Sequence, residues 1–228
     1  MGVTRRSVLG LGIAAAMLPG LSRAGVPAAF LGQSGEPQTG RLMLGLLVAD
    51  DEQALRAAVA GLRARLSYRR VLRSRSTDRF KLAFARALLD MLAGRADTRF
   101  AVVSFELPPW PGRGAARDAL VRRAVEAALA AAPADVPVTL IDNGDGANLG
   151  TLLRALPNER DLRYRKIGDD DLLQVASLMT GLANPPRPGS RSTKGELVAH
   201  LRLSLGVGEI SARALSRHPR YSVRSVKL

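Results

Sequence analysis

The sequence predicts an α/β domain in which a mixed central sheet is flanked by helices. Several apolar runs are nearly continuous, which is typical of strands buried on both faces. Segments with helical periodicity alternate with these runs, and stretches rich in glycine and proline separate them. No internal repeat and no long low-complexity linker is present, so one domain over residues 25–228 is the economical interpretation.

The first predicted strand ends at the Gly-Gln-Ser-Gly turn of the stretch FLGQSGE, residues 30–36. Apolar runs predict further strands at 41–49, 100–106 and 136–142, and an alternating pattern predicts an edge strand at 162–167. Leu55, Val59, Leu62 and Leu66 share one helical face, as do Phe80, Phe84, Ala87, Leu88 and Met91. Further helices are predicted at 115–131, 147–156, 170–182 and 193–205.

Residues 1–24 have the features of an export signal, because a basic start precedes an apolar segment and a small-residue end. Arg5 and Arg6 resemble the twin-arginine signal. The apolar segment is shorter than the roughly 20 residues that a membrane-spanning helix needs. We therefore expect a periplasmic or secreted protein, exported folded by the twin-arginine route and without a stable membrane anchor after cleavage.

The chain carries a large positive charge, with 34 basic and 20 acidic residues and a formal net charge of +14. Removal of residues 1–24 takes away three arginines and no acid, which leaves +11. Such a surplus favours a polyanionic partner, namely nucleic acid or an anionic envelope polymer. An arginine-rich genomic composition would give the same surplus, so the charge alone does not decide between these explanations.

Cysteine is absent and only two histidines are present, so disulfides and the usual zinc sites are nearly excluded. A Mg²⁺ or Mn²⁺ site built from carboxylates remains open. Asp142 ends a predicted strand, where α/β sheets often place ligands, and Asp145 follows in the same turn. These two acids either bind a metal or shape the turn.

Three consecutive acids, residues 169–171, precede an apolar helical segment. They suit the positive end of a helix dipole, and capping explains at least one of them. The charges also repel each other, which a cation or an arginine would relieve. Asp170 is therefore a candidate for catalysis together with Asp142. It is also a candidate for metal binding together with Asp142 and Asp145.

A basic segment, residues 67–79, contains four candidate polyanion contacts, with Tyr68 as a stacking partner for a base or sugar. The four are Arg69, Arg70, Arg73 and Arg75. A solvated loop explains the same pattern. A further candidate of the same kind is the basic C-terminal tail, with Arg213, Arg217, Arg220, Arg224 and Lys227.

Over residues 28–182 the chain resembles an uncharacterised ribonuclease H-like family whose first strand ends Asp-Glu-Ser-Gly. The matching features are Ser34-Gly35 after the first strand, an apolar second strand, a basic segment before a helix, and a strand ending in Asp142. A late helix opens Leu-Leu-Gln-Val-Ala-Ser at residues 172–177. The resemblance implies a ribonuclease H-like fold, in which clustered carboxylates hold divalent ions for phosphodiester cleavage.

Most of the acids that the resemblance requires are replaced. Gly32 stands at the expected aspartate and Gln33 at the expected glutamate. Val71 and Arg73 depart from a Glu-Leu-His pattern, and Ser177 stands where another aspartate would follow. A neutral amide is a poorer ligand for a hard cation than a carboxylate, so we expect no metal cofactor, with Mg²⁺ or Mn²⁺ as the alternative.

The sequence thus favours a pseudoenzyme, a non-catalytic binding or accessory protein of the cell envelope. One alternative is a metal-dependent nuclease or phosphodiesterase with a site rearranged around Asp142, Asp145 and Asp170. A second alternative is a basic protein that adheres to anionic envelope polymers.

Overall fold

The computed structural model describes residues 25–34, 41–72, 79–106, 115–141, 161–184 and 193–227. Within these ranges the chain forms six strands and five α-helices. The strands are β1 (Ala28–Ser34), β2 (Arg41–Ala49), β3 (Thr98–Glu106), β4 (Val138–Ile141), β5 (Leu162–Arg165) and β6 (Tyr221–Lys227). The helices are α1 (Glu52–Arg65), α2 (Arg79–Gly94), α3 (Ala115–Leu129), α4 (Asp171–Ala183) and α5 (Thr193–Leu205).

The strands form one mixed sheet in the order β5-β4-β1-β2-β3-β6. The first three strands are antiparallel neighbours, whereas β4 runs parallel to β1, β5 parallel to β4, and β6 parallel to β3. The prediction of an α/β fold with a mixed sheet is confirmed, and β5 is an edge strand as expected. The helix predicted at 147–156 lies outside the described residues.

Helices cover both faces of the sheet. Alternate residues of β1 and β2 contribute to two separate apolar cores, because successive side chains of a strand point to opposite faces. The larger core joins the sheet to α1, α2, α4 and α5, and the smaller core joins it to α3. Within the described ranges, no helix is both long and apolar enough to cross a membrane.

Local sequence accounts for most helix positions. In α1, Leu55, Val59 and Leu62 are buried on one face, and Asp51 caps the helix by accepting a hydrogen bond from the amide of Ala54. Leu66, which was predicted to extend the buried face, is instead the C-cap residue and is exposed. The buried stripe therefore ends one turn earlier than the periodicity predicts.

The helix α4 packs directly on the backbone of β1 and β2. Gly32 and Gly45 are partners across these two strands, and α4 crosses them. A Cβ atom at Gly32 would lie 2.5 Å from the amide nitrogen of Ser177 and 2.6 Å from the carbonyl oxygen of Ala176. A Cβ at Gly45 would meet the hydroxyl group of Thr180 in α4 and would lie 2.7 Å from Phe100 Cζ in β3. The two glycines thus permit a close approach that a side chain would prevent.

The C-terminal segment belongs to the sheet. Although they are predicted to lie in a basic tail, Tyr221–Lys227 form the edge strand β6, with Tyr221 buried. Arg220 donates hydrogen bonds to the carbonyl oxygens of Ala93 and Arg95 at the end of α2. Its charge therefore caps a helix C-terminus, which is a structural role and not a polyanion contact.

The close contact at Gly32 can be tested by adding one methyl group. Gly32→Ala should lower the free energy of unfolding by about 2–3 kcal/mol, because helix backbone must move to make room. Gly61→Ala is the matched control, since a Cβ at Gly61 in α1 meets nothing within 4 Å. This control should raise the free energy of unfolding by about 0.5–1 kcal/mol. Urea denaturation measures both, and equal effects would contradict the contact.

His218 should make stability depend on pH. Its Nδ1 accepts hydrogen bonds from the backbone amides of Arg220 and Tyr221, at 3.3 and 3.0 Å, which requires the neutral ring. Partial burial, followed by the nearby charge of Arg220, lowers the pKa of His218 below 6.5. The unfolded chain therefore binds a proton first as the pH falls, and stability should decline below about pH 6.5.

The decline can be assigned with two substitutions, because the chain has only two histidines. In His218→Asn, the amide oxygen stands where Nδ1 accepts and does not titrate, so the histidine part of the pH dependence should disappear. His200→Asn should retain it. Denaturant midpoints measured from pH 7.5 to 5 test this, and an unchanged slope in His218→Asn would contradict it.

Candidate ligand-binding cleft

A cleft of about 510 Å³ opens between the loop that follows α1 and the first turns of α4. We call it the Arg63 cleft. It lies beyond the carboxyl end of β5, near the edge of the sheet where α/β proteins commonly bind ligands. Its lining comprises Arg63, Ala64, Ser67, Tyr68, Arg69, Arg70, Val71, Gly168, Asp171 and Gln174.

Arg63 is held in place by several contacts. Its Nη1 donates to the carbonyl oxygens of Tyr68 and Arg70, and its Nη2 pairs with Asp171 at 2.9 Å. The guanidinium also lies over the rings of Tyr68 and Phe84. Its Nε is buried and has no hydrogen-bond partner among the described residues. The side chain is therefore both rigid and incompletely satisfied as a donor.

Gln174 ties the same loop to α4. Its Oε1 accepts hydrogen bonds from the amide of Leu72, at 2.7 Å, and from Nη2 of Arg63, at 2.9 Å. Its Nε2 lies 3.5 Å from the carbonyl oxygen of Gly168, at the limit of a hydrogen bond. Gln174 is only 2% exposed, so these contacts fix the depth of the cleft.

The sequence does not predict Arg63 as part of a site. Arg63 and Gln174 are 111 residues apart, and no local pattern connects them. The sequence signal nearest to this contact is the Leu-Gln-Val-Ala motif at residues 173–176.

Tyr68 is not available to stack on a ligand. It is 5% exposed, and its ring stacks on Phe84 with centroids 4.4 Å apart and an interplanar angle of 5°. The prediction that it provides a stacking surface for a base or sugar is wrong, because the ring faces the core. Tyr68 instead anchors the basic loop to α2.

Two of the four predicted arginines line the cleft. Arg69 and Arg70 are exposed at its rim, beside Val71. Arg73 and Arg75 lie outside the described residues. Contact of Arg69 and Arg70 with a polyanion therefore stays a prediction.

Asp170 is the N-cap residue of α4. Its Oδ1 accepts hydrogen bonds from the amides of Leu172 and Leu173, at 2.9 and 3.1 Å, and its Oδ2 pairs with Arg56 at 2.8 Å. Arg165 lies 3.9 Å from the same Oδ2. Only 2% of Asp170 is exposed. The capping explanation is confirmed for this acid, and both of its oxygens have structural partners.

Arg56 connects this cap to α1. Burial alone would lower the pKa of Arg56, but its hydrogen bonds to Asp170 and Glu52 outweigh burial and raise the pKa. Its guanidinium also lies 5.2 Å from the centre of the Phe30 ring in β1. The charge repulsion expected among residues 169–171 is thus relieved by arginines, as Arg56 pairs with Asp170 and Arg63 with Asp171.

The fold brings together two of the four positions where acids are replaced. Gly32 lies under the backbone of Ser177, whose Oγ is buried without a hydrogen-bond partner among the described residues. Strand alternation places Gln33 on the opposite face of β1. Val71 is exposed in the loop that lines the cleft. A carboxylate at position 32 would collide with α4, so this donor set does not fit a pair of divalent ions.

Asp142 and Asp145 lie outside the described residues. Among the residues that are described, no group of three histidines, cysteines or acids is close enough to hold a metal ion. Of the three predicted metal ligands, only Asp170 therefore lies among the described residues, and its carboxylate caps α4.

Comparisons of the chain with protein-family models, with curated proteins and with solved structures gave no match.

The structural role of Asp170 predicts how its substitutions behave. Asp170→Ala removes the acceptor for two amides and should lower the free energy of unfolding by about 1–2 kcal/mol. Asp170→Asn retains an oxygen acceptor for the amides but loses the ion pair with Arg56, so it should lower the free energy of unfolding less than Asp170→Ala does. Thermal unfolding measures both. The difference in stability between the two variants should be the same in EDTA and in Mn²⁺. A stabilisation by Mn²⁺ that requires Asp170 would contradict the structural role of this residue.

Proposed function

We propose that this protein is an exported, non-catalytic binding protein of the cell envelope with a ribonuclease H-like fold. The fold assignment is supported by the strand order, in which three antiparallel strands are followed by β4 and β5, both parallel to β1. The resemblance of residues 28–182 to a ribonuclease H-like family agrees with this order. Export through the twin-arginine route is supported by the basic and apolar pattern of residues 1–24.

The packing at Gly32 is the main support for the proposal that the protein is not an enzyme. In the family that the chain resembles, an aspartate at this position implies a metal ligand. Here the backbone of Ala176 and Ser177 occupies the space that its Cβ would need. The loss of the acid is therefore coupled to the position of a buried helix, and restoring the acid alone would not restore a site.

Charge location also supports a binding role. Asp170 is neutralised by Arg56, whereas Arg69 and Arg70 are exposed at the mouth of a cleft. Exposed cations at a concave surface support an anionic partner more than a cationic one. A two-ion mechanism needs the opposite balance, since several carboxylates must converge on the metals.

The proposal is tested by nuclease and metal-binding assays on residues 25–228. We expect no Mn²⁺-dependent cleavage of single- or double-stranded nucleic acid, and no difference between the wild type and Asp142→Asn. Calorimetric titration with Mn²⁺ should show no tight site. Cleavage that Asp142→Asn abolishes would instead establish the alternative, a phosphodiesterase rearranged around Asp142, Asp145 and Asp170.

A further inference from the structure

We propose that the surface at the C-terminal end of α5 binds duplex DNA through the phosphate groups of the DNA. Three exposed arginines form this surface, which we call the Arg213 patch: Arg202 in the last turn of α5, and Arg213 and Arg217 in the segment that joins α5 to β6. The inference rests on the proposed binding function, and it identifies the class of partner and the residues that hold it. For an exported protein, this partner would be DNA outside the cytoplasm.

The guanidinium groups of the Arg213 patch are available to a partner. Within the part of the chain that the structure describes, none of the three arginines has an ion pair or a side-chain hydrogen bond. The two acids between residues 193 and 227 are Glu196 and Glu209. Glu196 pairs with Arg86, whereas Glu209 accepts a hydrogen bond from Ser211 and keeps its charge. The patch therefore has a surplus of two positive charges over the nearby Glu209.

The fold directs Arg213 and Arg217 away from the core. The amide of Leu215 donates to the carbonyl oxygen of Ser211 at 3.0 Å, so a helical turn forms here. Leu215 is buried in the larger core. Arg213 and Arg217 lie two residues before and two residues after Leu215, and both are exposed. Residues four apart in a helical turn are neighbours, so the two arginines can contact the same partner.

A glycine hairpin leaves room for a wide polymer beside these arginines. The hairpin begins at α5, where the amide of Val207 donates to the carbonyl oxygen of Arg202. Gly206 has a φ of 65°, and a Cβ at Gly206 or Gly208 would meet nothing within 4 Å. Val207 and Ile210 pack against the larger core. The glycines thus face solvent and the apolar side chains face the core.

The residue types of this segment favour a duplex over a single strand. Guanidinium groups pair with phosphate oxygens, and a duplex presents one phosphate charge per about 1.7 Å of its length. Single-strand binding depends on bases that stack on aromatic side chains. Between residues 193 and 228 the one phenylalanine, tyrosine or tryptophan is Tyr221, which is buried. The segment therefore offers phosphate contacts and no stacking surface of this kind.

A bilayer surface fits the patch less well than a duplex does. Anionic lipids attract the same charges, but a segment that lies in a membrane interface also needs an apolar face. The apolar face of α5, formed by Leu197, Leu201 and Leu205, is buried in the core. Among the described residues from 193 to 227, Leu203 is the one large apolar side chain that is exposed, at 80%.

The proposal is tested by fluorescence anisotropy with a labelled DNA duplex of about 20 base pairs and mixed sequence, compared with one of its strands. The purified protein should bind the duplex at least about tenfold more tightly than the single strand. Arg213→Ala/Arg217→Ala should weaken duplex binding at least about tenfold, which corresponds to about 1.4 kcal/mol. Each phosphate contact contributes about 0.9 to the slope of log K against log salt, so this double variant should reduce the slope by about 1.8. Glu209→Gln should tighten binding, because it removes the negative charge beside the arginines.

The matched control is Arg122→Ala/Arg123→Ala, which removes the same charge from α3 on the other face of the sheet. It should change the affinity by less than about twofold and leave the salt slope unchanged. Thermal unfolding shows that each variant is folded. Equal losses in the two double variants would overturn the proposal, as would no duplex binding at micromolar protein in low salt. A single strand that binds as tightly as the duplex would also overturn it.

Two further probes separate a duplex from other polyanions: vesicles of phosphatidylglycerol, and polygalacturonate. Binding of either probe as tightly as the duplex, with the same loss in Arg213→Ala/Arg217→Ala, would show general adhesion and overturn the proposal.

Failure of this inference differs from failure of the proposed function. A protein that binds no duplex and cuts no nucleic acid would retain the proposed function and lose this inference. Cleavage that Asp142→Asn abolishes, with duplex binding that still requires Arg213 and Arg217, would overturn the proposed function and retain this inference.

Discussion

The contact between α4 and two paired glycines determines the arrangement of the rest of the site. Gly32 and Gly45 face each other across β1 and β2, so the helix backbone can lie directly on Gly32, and the side chains of Thr180 and Phe100 occupy the space above Gly45. Eleven of the 13 residues of α4 are buried, as expected for a helix enclosed by the sheet and by other helices. Since a buried helix cannot shift without disturbing a close-packed core, its first turn is also fixed.

The fixed first turn of α4 gives a structural role to two residues of the Leu-Gln-Val-Ala motif, Gln174 and Ala176. Gln174 lies one turn inside α4 and holds the loop after α1 through Leu72 and Arg63. The backbone of Ala176 passes directly over Gly32, and a more distant helix would leave a gap there. In this chain the Leu-Gln-Val-Ala motif therefore serves packing and loop attachment, which do not require metal-binding acids.

Local pattern predicted most of the fold because the signals are strong within single segments. The apolar run at β2 and the periodic pattern of α5 gave the observed bounds, and the run at β3 missed only its first two residues. The strand β6 was missed because Ser222, Arg224 and Ser225 interrupt its apolar residues. Only pairing with β3 makes this segment a strand. The core position of Tyr68 likewise depends on Phe84, which is distant in sequence.

Net charge is a poor predictor of a binding site in this chain, because several arginines bind to groups of the protein itself. Arg56 neutralises Asp170, Arg63 binds two carbonyls and Asp171, and Arg220 caps α2. Each of these cations has a partner inside the protein, whereas a count of charges treats all of them as available to an external partner. What attracts a ligand is the charge left unbalanced at a concave surface, where field lines converge and water is partly excluded. The location of each arginine in the fold, and not the number of arginines, therefore decides which of them can reach an external partner.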